Sequence, residues 1–390
     1  MDWSFLTRNK ESLHVTTDSR KVTPGSVFVA LKGEHFDGND FVEQARKDGA
    51  VYIISGEHAL AELQDIARAW RRELGLPILG ITGTNGKTTT KELCAAVLGT
   101  KYNLYYTQGN LNNQLGVPLT LLNTTRAHEM AIVEMGASHP GDIKELVDIA
   151  EPNFGLITNV GRAHLQGFGS FEGVMRTKAE LYEWIVNHHG TIFQNADNPY
   201  LKKMLGDLGN LENPGRLVSY HTGVMPEGTH LVGGYNAENV SAALCVGAYF
   251  GVNEAAALEA IRAYVPSNNR SQYMKTAHNE VVIDAYNANP TSMTAAINAF
   301  KGNCYILGAM RELGEYTHLE HQNIVNMLLE RKADKVLLVG EEYKQTTAPY
   351  PIYDNVEELC RALQEEPLHN YFILLKGSRS NQLEKVIPLL

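Results

Sequence analysis

The stretch Ile78-Leu-Gly-Ile-Thr-Gly-Thr-Asn-Gly-Lys-Thr-Thr-Thr90 constrains this 390-residue chain more than any other. It reads as an apolar run, a glycine-bearing loop at Gly83–Thr90, and a helical segment at Lys91–Leu98. A buried strand feeding a helix through a tight turn is the repeating unit of a parallel sheet wrapped by helices. The turn also has a chemical meaning. Gly83 and Gly86 allow backbone N–H groups to converge on a phosphate, and the helix N-terminus adds a favourable dipole. Lys87 supplies a mobile positive charge for the β- and γ-phosphates, and the Thr88 hydroxyl can ligate Mg²⁺. The spacing is not the full G-x-x-x-x-G-K-[ST], because Ile81 stands where the first glycine would be. A bare G-K-[ST] arises by chance in about one chain in five of this length, and demanding Gly83 as well lowers that to roughly one in seventy. A plain β–α turn is the alternative reading.

Three stretches follow one another. Residues 1–76 form a small N-terminal α/β unit, with short β-rich runs at Ser26–Leu31 and Val51–Ile54. The turn signal Leu74-Gly-Leu-Pro77 closes it. Residues 77–265 alternate strand-like runs (Ile78–Thr82, Met130–Met135, Phe154–Val160) with helical segments, predicting a central P-loop-type, mostly parallel sheet. Gly234–Phe250 reads as one alanine-rich helix. Residues 266–390 alternate again, through Val281–Asp284, Cys304–Leu307, Lys335–Val339 and Tyr371–Leu375, and predict a C-terminal Rossmann-like doubly wound domain. The expected class is therefore α/β with three domains.

Charge narrows the partners. The net charge is −10, from 34 basic and 44 acidic residues, which argues against a nucleic-acid surface. Cys94, Cys245, Cys304 and Cys360 are far apart with no C-x-x-C pair, as fits reduced thiols in a cytoplasmic protein. The N-terminus lacks the order of a signal peptide, and no apolar run approaches the eighteen or so residues that span a bilayer.

Three further residues bear on metal chemistry. Glu134 ends the run Met130–Glu134, and His164 follows Asn159-Val-Gly-Arg-Ala. Charged groups at the carboxyl ends of parallel strands lie where α/β ligands bind, so both could face the Mg²⁺ that neutralises ATP. A surface glutamate and a loop histidine are the plainer alternatives. Lys178 shares a helical face with Val174, Leu181 and Ile185, opposite Arg176, Glu180 and Glu183. A lysine in an apolar stripe must snorkel, pair with an acid, or lose its charge. Carbamylation by CO₂ would convert it into an anionic metal ligand.

Together, Gly83–Thr90, Glu134, His164 and Lys178 resemble the Mur ligases, cytosolic enzymes that build the peptide stem of peptidoglycan; the wider group includes folylpolyglutamate synthetase. Further motifs look most like the branch that joins D-alanyl-D-alanine to UDP-N-acetylmuramoyl-tripeptide. They are Thr107–Asn113 with Gly116–Leu122, Asp284-Ala-Tyr-Asn-Ala-Asn-Pro-Thr-Ser-Met293, Leu307–Gly314 and Leu375-Lys-Gly-Ser-Arg379. The resemblance runs from Asp18-Ser-Arg20 to the C-terminus.

The resemblance implies roles. Gly83, Thr84, Asn85, Gly86, Lys87, Thr88 and Thr89 would bind the phosphates of ATP. Thr88 and Glu134 would hold one Mg²⁺, and His164 with carbamylated Lys178 would help hold a second. Lys87, Glu134, His164 and Lys178 would form the catalytic group. Asn236 and Asn239 match adenine contacts; Arg270 and Asp284 match contacts to ATP phosphate and ribose. Ser19, Arg20 and Lys32 would hold the UDP-sugar on the domain 1–76. Asn110, Asn112 and Asn113 would line the route to the reaction centre of the ATP-binding domain 77–265. Asn287, Asn289, Lys376, Ser378 and Arg379 would lie near the incoming amine on the domain 266–390, which would also close over ATP. Read alone, Asn289-Pro290 is an ordinary turn and Lys376–Arg379 a solvated basic one. A monomer is expected. Two departures stand out: Asn195–Gly234 is shorter than the family pattern, and Tyr235 replaces a usual histidine, where an aromatic ring can still pack on adenine. The rivals are another ligase of the group, a non-catalytic nucleotide-binding partner, and a P-loop motor or switch. The intact Lys87, Glu134, His164 and Lys178 speak against the second. The short loop spacing and the second doubly wound unit speak against the third.

Overall fold

The computed structural model describes residues 3–8, 10–33, 36–209, 216–266 and 269–390. Part of the short Asn195–Gly234 segment, residues 210–215, thus lies outside the described residues. The chain forms two compact units. One comprises Met1–Gly83, Leu98–Ile157 and Thr177–Tyr220; the other comprises Thr84–Val97, Thr158–Arg176 and His221–Leu390.

The first unit holds two parallel sheets. β1 (Val15–Thr16), β2 (Val27–Val29) and β3 (Tyr52–Ile54) make the small one, in that order. The larger comprises β4 (Ile78–Thr82), β5 (Leu104–Tyr106), β6 (Met130–Glu134), β7 (Phe154–Ile157), β8 (Thr191–Asn195) and β9 (Leu217–Tyr220). Its order is β5-β6-β4-β7-β8-β9, parallel throughout. β4 and β6 are buried at every residue, as unbroken apolar runs require when helices cover both faces. The connections leaving β4 and β6 depart in opposite directions. The carboxyl ends of these neighbours therefore form a topological switch point, where α/β sheets bind ligands. Glu134 ends β6 there, paired in register with Ile81.

The helix Ala59–Leu74 shows why the local sequence folds as it does. Ala59, Leu63, Ile66, Ala67 and Trp70 recur at helical spacing and are all buried, against the helices Gly116–Leu122 and Asp142–Ala150. Each larger aliphatic side chain so buried contributes roughly 1.5–3 kcal/mol. Trp70 Nε1 donates to the Thr124 carbonyl (3.0 Å), and Gly75 ends the helix in a left-handed conformation (φ 64°).

The second unit contains β10 (Gln272–Lys275), β11 (Glu280–Asp284), β12 (Cys304–Gly308), β13 (Lys335–Val339), β14 (Ile352–Tyr353) and β15 (Phe372–Lys376). Their order is β10-β11-β15-β12-β13-β14, parallel except that β10 runs antiparallel to β11. Successive side chains fall on opposite faces: Val282, Tyr305, Leu307 and Leu338 feed one core, Val281, Ile283, Ile306 and Leu337 the other. This is the expected doubly wound sheet, with an antiparallel edge strand added. The alanine-rich helix spans Asn236–Tyr249. The helix after the glycine loop begins at Lys87 rather than at Lys91. Lys87, Thr88, Thr89 and Thr90 therefore form its first turn, with Thr90 N–H donating to the Gly86 carbonyl (2.8 Å).

Candidate active site

In the second unit the glycine loop is held by the segment that follows β7. Thr84 N–H donates to the Asn159 carbonyl and Asn85 N–H to Asn159 Oδ1, both at 3.0 Å. Thr158 Oγ1 donates to the Asn85 carbonyl (2.6 Å), and Gly161 N–H donates to Thr84 Oγ1 (2.9 Å). The loop shape is thus fixed by a neighbouring backbone before any ligand arrives. Lys87 Nζ donates to the Thr84 carbonyl (3.0 Å), which folds the ammonium back across the loop. Thr88 and Thr89 are buried in the first helical turn. Such an arrangement of N–H groups, a cation and hydroxyls recognises a polyphosphate.

Asn236 and Asn239 brace this loop. Asn239 Oδ1 accepts from Thr90 Oγ1 (3.0 Å), and its Nδ2 donates to Asn236 Oδ1 (2.9 Å). Asn236 Nδ2 donates in turn to the Val232 carbonyl (2.8 Å). The two residues are 1% and 6% exposed. Gly86 has φ +78°, and a Cβ there would lie 2.4 Å from Asn239 Oδ1, so only glycine fits. Tyr235 is half-buried; its hydroxyl bonds Ser271 Oγ (2.8 Å), and burial, aided by the nearby Asp284 charge, pushes the phenol pKa well up.

A second group in this unit gathers at the carboxyl ends of β11 and β15. Asp284 and Lys376 are paired in register, and Lys376 Nζ donates to Asp284 Oδ2 (2.6 Å) and to the Asn287 carbonyl (3.2 Å). Lys376 is 1% exposed, so its charge is committed to this pair. The Arg270 guanidinium lies 3.8 Å from the centre of the Tyr286 ring and that of Arg379 5.7 Å from it. Ser378 Oγ donates to the Ala309 carbonyl (2.7 Å). Two contact sets thus lie in this unit: Arg270 and Arg379 meet at the Tyr286 ring, and Asp284 and Asn287 meet at Lys376. Asn289 instead bonds the side chain of Asn85, in the glycine loop. His164 sits in a left-handed conformation (φ 50°), and its Nδ1 meets the carboxylate of Glu312, itself at φ 61°.

In the first unit Glu134 is buried. Its Oε1 accepts from Asn112 Nδ2 (2.9 Å), and its N–H donates to Thr107 Oγ1 (3.0 Å). Asn113 is exposed and receives the N–H groups of Leu115 (3.2 Å) and Gly116 (2.9 Å), which shapes the following helix. Asn110 is exposed, and its carbonyl accepts from Asn112 N–H (2.8 Å). Lys178 is 2% exposed, with Val174, Leu181 and Ile185 also buried, so the lysine does not snorkel to solvent. Glu180 accepts from the N–H groups of Gly141 (3.0 Å) and Lys144 (2.7 Å); burial raises its pKa. Arg20 pairs with Asp18 (2.8 Å), and this hydrogen bond holds the Asp18 carboxyl down at about 2. Ser19 is half-buried beside them, and Lys32 lies 3.8 Å from Asp37.

Residues that sequence reasoning did not single out are Asn159, Tyr286 and Glu312. Tyr286 and Glu312 lie inside motifs already recognised, Tyr286 between Asp284 and Asn287. Among the described residues, no helix is long and apolar enough to cross a membrane.

Comparison with known proteins agrees along most of the chain. Residues 13–87 match the Mur ligase family catalytic domain, 81–222 the Mur ligase middle domain, and 269–379 the Mur ligase glutamate ligase domain. A Bacillus subtilis UDP-N-acetylmuramoyl-tripeptide–D-alanyl-D-alanine ligase is 32% identical over 422 residues, covering 96% of this chain and 92% of the relative. An Escherichia coli protein of the same name is 32% identical over 427 residues, covering 96% and 93%. Both alignments are longer than this 390-residue chain, so these relatives contain stretches that it lacks. The crystal structure of MurF ligase from Thermotoga maritima in complex with ADP superposes with a TM-score of 0.83 at 27% identity, covering 98% of each chain. The chain belongs to the Mur ligase family.

Proposed function

We propose that this protein is an ATP-dependent ligase that joins D-alanyl-D-alanine to UDP-N-acetylmuramoyl-tripeptide in peptidoglycan precursor synthesis. The observation that carries the reading is the match of almost the whole chain, at 32% identity, to curated ligases of that name. The braced glycine loop supports it from the chemical side. A carboxylate does not condense with an amine in water unless it is activated. Here the tripeptide carboxylate attacks the γ-phosphorus of ATP, forming an acyl phosphate and releasing ADP. The amine of D-alanyl-D-alanine then attacks the acyl carbon; the C–O bond to phosphate breaks, and the amine proton is lost.

Phosphoryl transfer rests mainly on positioning and charge neutralisation. Lys87 and the N–H groups of Gly83–Thr89 bind the phosphates in this reading, with Arg270 adding positive charge. The hydroxyl of Thr88 and the carboxylate of Glu134 are hard oxygen donors that suit Mg²⁺. They would hold one ion, and His164 with a carbamylated Lys178 would help hold a second. Bound Mg²⁺ would neutralise charge on the transferring phosphoryl group. Ser19, Arg20 and Lys32 hold the nucleotide-sugar, Asn110, Asn112 and Asn113 line the route to the reaction centre, and Asn287, Lys376, Ser378 and Arg379 lie near the dipeptide. The domain division 1–76, 77–265 and 266–390, a monomeric state and a cytoplasmic location belong to the same reading. The test is phosphate release from ATP with UDP-muramyl peptides, with and without D-alanyl-D-alanine. Release that needs both substrates and vanishes in Lys87→Ala is expected. Release indifferent to the dipeptide, or full turnover by Lys87→Ala, overturns the reading.

A further inference from the structure

Asn289 is expected beside the amine substrate, yet its side chain is otherwise engaged. It is 4% exposed. Its Oδ1 caps the helix Pro290–Ala299 by accepting from Ser292 N–H (2.9 Å), and Ser292 Oγ accepts from Asn289 N–H (3.1 Å). Its Nδ2 donates to Asn85 Oδ1 (2.8 Å), and Asn85 Nδ2 lies 3.4 Å from Asn289 Oδ1. An asparagine amide has two N–H donors and two acceptor lone pairs. Three of these four are therefore used within the protein. Asn85 belongs to the glycine loop, and its own N–H is fixed by Asn159.

A second contact runs alongside. Thr291 Oγ1 accepts from Arg162 N–H (2.9 Å), and a Cβ at Gly161 would lie 2.8 Å from Thr291 Oγ1. Gly161 N–H is the group that holds Thr84 Oγ1. The first turn of Pro290–Ala299 thus reaches the loop twice, once through Asn85 and once through the segment that clamps Thr84.

We infer that Asn289 is a positioning residue for the phosphate loop, acting through Asn85, and not a contact to the dipeptide. The inference rests on the ATP-dependent reading. It makes the turn between β11 and its following helix part of the nucleotide machinery.

Asn289→Ser isolates the role, because serine is also a good helix N-cap but is too short to reach Asn85. Binding of ADP is measured by calorimetry, alongside KM for ATP and for D-alanyl-D-alanine. Loss of one hydrogen bond predicts a roughly two- to tenfold weaker ADP affinity, with the dipeptide KM unchanged. In the Asn85→Ala background, Asn289→Ser should cause no further loss. A raised dipeptide KM with unchanged ADP affinity overturns the inference, as do effects that multiply in the double variant. Wild-type turnover judges the ligase reading separately, since ADP calorimetry needs neither substrate.

Discussion

Gly86→Ala probes the loop most directly. Two terms add. The residue sits at φ +78°, where an L side chain costs about 1–2 kcal/mol. The new methyl would lie 2.4 Å from Asn239 Oδ1, 3.1 Å from its Cγ and 3.2 Å from its Nδ2. Asn239 cannot withdraw cheaply, because it holds both Thr90 and Asn236. Overpacking of this kind costs about 1–3 kcal/mol. The expected total is therefore about 2–5 kcal/mol, read as a lower urea midpoint and a weakened ADP affinity. Asn239→Ala alone should also destabilise, by about 1–3 kcal/mol, by leaving Asn236 Oδ1 without its donor. In the double variant the clash is gone while the backbone strain remains. It should be less damaged than the sum of the singles by about 1–3 kcal/mol. Additivity within about 0.5 kcal/mol, the behaviour of independent sites, would refute the argument that Asn239 sets the glycine requirement.

Three other predictions follow from named contacts. Lys178→Ala should lose ligase activity and regain part of it with added short carboxylates; an inactive variant that no small anion restores would argue against carbamylation. Arg162→Met should destabilise by about 1–2 kcal/mol, because it strips the guanidinium (2.8 Å) from the buried Glu320 carboxylate, the figure being reduced for the half-exposed arginine; Glu320→Gln in that background should recover much of the loss in a denaturation midpoint. His321 accepts from Met310 N–H at Nε2 (3.0 Å) and donates from Nδ1 to the Thr317 carbonyl (2.7 Å), so both ring nitrogens are used in the neutral form. Burial holds its pKa below the ordinary histidine value. Its contribution to stability is then full above that value and is lost as pH falls through it, from about pH 6.5 downward. A urea midpoint in His321→Gln with the same slope against pH as wild type would contradict this.

Local pattern carried the fold further than the site. Long apolar runs such as Ile78–Thr82 and Lys335–Val339 were legible because a strand covered on both faces needs no alternation. The edge strands β5 and β9 were not: they are short and only partly buried, so their residues answer to one neighbour rather than to a core. The apolar face that carries Lys178 could be read from helical spacing, but whether its ammonium reaches solvent could not. The start of the loop helix could not, because Thr88–Thr90 have weak intrinsic helix preference and are buried by tertiary structure. The Asn85–Asn289 bond joins residues 204 positions apart, and the His164–Glu312 pair 148 apart. No periodicity records such partners, which is why sequence pattern did not join Asn289 to Asn85.

The pairing of Lys376 with Asp284 bears on how this protein can change over time. The buried Lys376 ammonium is tolerable because the Asp284 carboxylate is present, and removing that carboxylate would strand it in a nearly dry setting. A neutral substitution of Asp284 is thus unfavourable until Lys376 also changes. Two segments 92 residues apart are expected to vary in a coupled way across descendants of this sequence.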